Sequence, residues 1–180
     1  MAHIPAGARR TFGLALLSVA ILGVFGSAPA SSSLSQLSAL KGVTVTGDPE
    51  LPAACNSPHD TAMLISNFLD AFNRGDNRQL GRFFGSDLMW YSVTELERNF
   101  VAYSPSDLLK YFEERHAYHE PLQLASIDVR GPSWHGGIDL AYRLTRQGDD
   151  LGTRGSFLRG KGAVNCQDRT IFVWSMGSGA

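Results

Sequence analysis

The apolar residues change rhythm at Pro121, and a chain that carries both rhythms must pack helices against a sheet. Before that proline they recur at helical spacing. Ile65, Phe68, Leu69 and Phe72 stand at i, i+3, i+4 and i+7 and form one continuous stripe. Ser57-Pro58-His59-Asp60 gives this stretch an N-cap serine, a proline at the first helical position and an acid at N3. Gly75 suits a left-handed stop, and Asp76 then caps a shorter helix that buries Leu80, Phe83 and Phe84 before Gly85. Ser104-Pro105-Ser106-Asp107 repeats the start signal for a third helix. Leu108, Leu109 and Phe112 form its stripe, which Arg115, His116 and His119 continue as polar residues.

Past Pro121 the period is two. Ile138, Leu140, Tyr142 and Leu144 alternate with Asp139, Ala141, Arg143 and Thr145, as in a sheet with one buried and one wetter face. Segments 122–130, 137–147, 154–166 and 169–176 read as strands, and the aromatic run 88–93 as another. Gly155, Gly160 and Gly162 within one strand suggest bends or bulges. The predicted class is α+β: three helices in the N-terminal half packed on a strongly curved, mostly antiparallel sheet, a cone or roll.

The N-terminus reads as an export leader. Arg9 and Arg10 precede an apolar run, Phe12 to Phe25, that is too short to span about 30 Å of hydrocarbon. Ala28-Pro29-Ala30 then offers small residues at a cleavage site. The expected division is a signal peptide over 1–30, a flexible tether over 31–54 with a short extended piece at Val43-Thr44-Val45, and one domain over 55–178. An uncleaved leader would instead hold the chain at a membrane, and Arg9-Arg10-Thr11-Phe12 leaves both Sec and twin-arginine routes open. Localisation is expected to be periplasmic, cell-surface or extracellular. In such a compartment the two cysteines, Cys55 and Cys166, are expected to pair; the alternative is two buried thiols. The chain's net charge is −1, and losing Arg9 and Arg10 makes the remainder more negative still, so nothing suggests a nucleic-acid partner.

The order helix, helix, strand, helix, four strands resembles the nuclear-transport-factor-2-like (SnoaL-like, cystatin-like cone) superfamily. The segment Phe68-Leu69-Asp70-Ala71-Phe72-Asn73-Arg74-Gly75-Asp76, with Leu80 and Phe83-Phe84, is similar to the family's first-helix signature. Trp174-Ser175-Met176 resembles its closing strand. The resemblance implies a pocket between helices and sheet, lined here by Phe68, Trp90, Ser92, Phe112 and Tyr142. Ketosteroid isomerase, a member with known chemistry, needs a carboxylate base, which Ser92 replaces here, and a tyrosine, which Phe68 replaces, with a protonated acid as second oxyanion donor. That mechanism is not expected.

Other constellations are sparse. His116 and His119, three residues apart, are the candidate bases if the protein is a lyase, isomerase or cyclase. A metal site there would need a third ligand such as His135 or Glu120, and none is expected. No cofactor is expected. Arg143, Arg159 and Lys161 read as a solvated outer face that could take an anion. The leading expectation is a binding domain for a small apolar molecule or a protein partner, without catalysis, with pairing into a homodimer as a further possibility.

Overall fold

The structure is a computed structural model, and it describes residues 39–85, 90–95, 98–117, 119, 121–133, 137–148 and 155–178. All lie in the compact unit Ser31–Ala180. Three helices carry the apolar stripes. Helix α1 spans Pro58–Arg74, α2 spans Asn77–Phe83 and α3 spans Pro105–His116. The strands are β1 Thr44–Gly47, β2 Trp90–Glu95, β3 Arg98–Ala102, β4 Leu122–Arg130, β5 Ile138–Arg146, β6 Phe157–Asn165 and β7 Thr170–Ser178. They form one curved, unclosed sheet in the order β1-β4-β5-β6-β7-β2-β3. The pairs β4–β5, β5–β6, β6–β7 and β2–β3 are antiparallel; β1–β4 and β2–β7 are parallel. The α+β roll expected from the sequence is the fold found.

The helix ends form for the local reasons the sequence states. Ser57 Oγ accepts from the Asp60 amide at 3.1 Å, Ser104 Oγ from Asp107 at 3.3 Å, and Asp76 Oδ1 from Gln79 at 2.9 Å. Gly75 closes α1 with φ of 64°, and its missing Cβ admits the imidazole of His116. Asn73, inside the signature segment, has a task no propensity reveals. Its amide donates to the Leu122 carbonyl and accepts from the Leu122 amide, each at 2.8 Å, so it clamps α1 to the first residue of β4. Asn73→Ala is expected to destabilise the fold by about 2 kcal/mol, roughly 1 for each bond, read from urea unfolding. A loss under 0.5 kcal/mol, on that same bond scale, would show that water replaces the clamp.

Four expectations need correction. The short extended piece expected at Val43-Thr44-Val45 is strand β1 at Thr44–Gly47, shifted by a residue or two, and it pairs with β4 from Thr44↔Ser126 to Gly47↔Val129. Strand β3 was not foreseen, because Arg98-Asn99-Phe100-Val101-Ala102 lacks alternation and is held by its pairing with β2. Helix α3 stops at His116 rather than His119, whose φ of 46° is left-handed. Finally, the irregularities in pairing lie at Leu124/Ser126 and Ala163/Val164, not at the glycines of β6. Gly160 instead faces Tyr142 across the strands, and a Cβ there would strike that ring and the Ser175 carbonyl.

Candidate functional site

Among the described residues, aromatic rings cluster between helices and sheet. Phe68 of α1 sits at their centre, 2 % exposed, with ring centroids of Trp174 at 4.9 Å, Phe84 at 5.5 Å, and Phe83 and Phe112 at 5.9 Å. Phe72 meets Phe112 edge-on at 5.5 Å. Tyr142 stacks on Trp174 at 4.2 Å with planes 16° apart, and its hydroxyl donates to the Ser175 carbonyl at 2.7 Å. Offset and edge-on arrangements of this kind are the favourable ones for aromatic pairs. The structure brings Phe68, Phe112 and Tyr142 together in one packing cluster. Trp174, in the closing strand, is the ring that joins Phe68 to Tyr142.

Backbone register pairs Trp90 with Val173, Tyr91 with Trp174 and Ser92 with Ser175.

Burial holds the Tyr142 phenol well above its ordinary range. The neutral phenol is the form the fold accepts. Stability from this group is constant below its unfolded pKa of about 10 and is lost as pH rises above that value toward the folded one. The urea midpoint is expected to fall more steeply between pH 10 and 11.5 in the natural protein than in Tyr142→Phe. Equal slopes would contradict the assignment.

His116 and His119 lie at the end of α3 with ring centroids 6.4 Å apart, both exposed. His116 packs against Gly75 at the end of α1. Glu120 and His135 lie outside the described residues, as do residues 1–30. Among the described residues no three His, Cys, Asp or Glu side chains gather as metal ligands, and no helix is long and apolar enough to cross a membrane. Cys55 and Cys166 form a disulfide, with Cα atoms 4.7 Å apart, and both are buried.

The large hollow opens on the sheet's other face, with a volume of about 750 Å³. Thr44 and Thr46 of β1 form one wall, Ser126 and Asp128 of β4 the next. Ala141, Ser175 and Gly177 leave its floor low, and Arg143, Arg159 and Lys161 rise from β5 and β6. Asp128 accepts from Thr46 at 2.9 Å and from Arg130 at 2.7 Å. The Arg130 bond first, and the Thr46 bond second, lower its pKa below the usual carboxylate range. The hollow is not legible in the sequence because its wall forms only where β1 pairs with β4, more than eighty residues away.

No family model matches this chain, and no curated protein matches it. Solved structures do. The orange carotenoid protein of Anabaena, solved with canthaxanthin bound, aligns over 75% of this chain with a TM-score of 0.52 and 18% identity. This chain spans only 37% of that protein's length. A proposed calcium/calmodulin-dependent protein kinase II association domain from Xanthomonas campestris aligns over 75% of this chain and 96% of its own, with a TM-score of 0.54 and 16% identity. A nuclear-transport-factor-2-like protein of unknown function from Shewanella oneidensis aligns over 68% of this chain and all of its own, with a TM-score of 0.50 and 12% identity. The fold is the nuclear-transport-factor-2-like, or cystatin-like, fold.

Proposed function

We propose that the protein is an exported binding domain that holds a small ligand on the open face of its sheet, with the helix-covered face serving as core. The observation that supports this is the contrast between the two faces. Rings occupy the helix side, whereas the open face carries a hollow of about 750 Å³, a volume within the range of small-molecule sites. The canthaxanthin-binding protein from Anabaena shows that a chain containing this fold can hold a ligand. His116 and His119 do not line the hollow, so the reading assigns them no chemistry.

Native mass spectrometry of protein purified from its host tests the reading. A small-molecule adduct is expected whose removal alters hydrogen exchange in β5 and β6 and leaves α1 unchanged. An adduct that protects Phe68 and Trp174 would contradict it. Export is supported by the leader-like residues 1–30 and by the buried disulfide. The exported protein is expected to begin at Ser31 and to be two hydrogens lighter than its reduced form. An intact N-terminus or free thiols would overturn that part.

A second reading has its own observation. Val101 and Tyr103, at and just beyond the end of β3, are 46% and 72% exposed, and β3 ends the sheet. A second copy covering this edge would make the protein an association module. Sedimentation velocity separates the readings: a dimer dissolved by Tyr103→Asp supports association, and a monomer leaves ligand binding alone.

A further inference from the structure

The cations of the open face stand in an arrangement that a solvated surface does not call for. Arg143 and Arg159 are register partners on adjacent strands, which sets their Cβ atoms about 5 Å apart. Like charges directly opposite one another destabilise a sheet. Lys161 follows two residues along β6 on the same face, opposite Ala141. Arg159 and Lys161 have no ion-pair partner among the described residues, and the Arg143 guanidinium lies 4.3 Å over the Phe157 ring. Stacking fixes the guanidinium plane and leaves its N–H edge available for a planar or tetrahedral acid. The face concentrates this charge although the whole chain carries a net −1.

The surroundings suit an anion with a small organic body. Ser126 and Thr44 continue the Arg143–Arg159 row as hydroxyl donors, because Ser126 pairs with Arg143 and Thr44 with Ser126. Asp128 is the one carboxylate in the lining, already engaged by Arg130 and Thr46. It stands two strand spacings from Lys161 with Ala141 between, about 10 Å away. Gly177 opposite Arg159 and Ala141 opposite Lys161 leave room beside the cations for an apolar body.

We propose that this hollow binds a small organic acid, its carboxylate, phosphate or sulfonate held by Arg143, Arg159 and Lys161. The inference rests on the open-face reading and deepens it by naming the ligand class. The test titrates the purified full chain, disulfide intact, with phenyl phosphate, benzoate and the neutral analogue benzyl alcohol. Amide shifts are followed by NMR in the natural protein and in the double variant Arg159→Gln/Lys161→Gln. Both residues are exposed, and matched melting temperatures confirm that the variant folds.

Saturable shifts in β5, β6 and β7 are expected with the two acids. Affinity is expected to fall tenfold or more in the variant, the loss of two charge-assisted contacts, and to weaken with salt. Phosphate preferred over benzoate would assign a phosphorylated ligand, and the reverse a carboxylic acid. If all three compounds bind this face equally in both proteins, the acid inference fails while the open-face reading survives. If none perturbs the face, or the shifts fall on Phe68 and Trp174, both fail.

Discussion

Replacing both Cys55 and Cys166 by serine is expected to lower the free energy of unfolding by about 4–5 kcal/mol. The bond closes a loop of 111 residues, and most of the effect lies in the unfolded chain, which loses the conformations that such a long closure forbids. In the folded protein it fastens the turn before α1 to the turn between β6 and β7, so the first helix and the last hairpin cannot part independently. Both sulfurs are buried, and two buried serine hydroxyls add a desolvation cost. Urea titrations of the natural and double-serine proteins measure the difference. A loss below about 1 kcal/mol would show that the closure model does not govern this bond.

Phe68→Ala is the second large effect, with an expected cost of about 3–5 kcal/mol. Phe68 touches rings from α1's own surroundings, from α3 and from β7, so its removal leaves a void that no single element can close. The cost combines lost transfer energy with that cavity, since a close-packed interior relaxes only in part. Phe68→Leu refills most of the volume and is expected to cost less than half as much. Were Phe68→Ala nearly neutral, the ring would be lining open space rather than filling it. That outcome would restore the interior pocket the resemblance implies.

The local features were legible because their causes are local. Ser57, Ser104, Asp76 and Gly75 act through neighbours within a few residues, and each does in the structure what its position foretells. The buried phase of β5 was equally plain, since Ile138, Leu140, Tyr142 and Leu144 repeat over four alternations. What escaped depends on partners distant in the chain. The sequence suggests an extended piece at Val43-Thr44-Val45, but not that it lies parallel to β4, more than eighty residues away in the chain. The pairing of Trp90 and Ser92 with β7 is parallel and long-range, which their own segment does not disclose. Tyr142 was correctly placed in the buried phase, but not its stacking on Trp174, which needs the empty space over Gly160 on the next strand. Arg143 and Arg159 are sixteen residues apart in the chain, and only the hairpin register makes them neighbours.

On the helix-covered face of the sheet, Phe68 packs against both Phe112 and Trp174. Xenon enters dry apolar cavities and is visible in diffraction, so a crystal of the protein under xenon pressure examines this packing directly. The account predicts Phe68, Phe112 and Trp174 in van der Waals contact with no xenon between them. Xenon bound among those rings, or rings parted around a ligand, would contradict it.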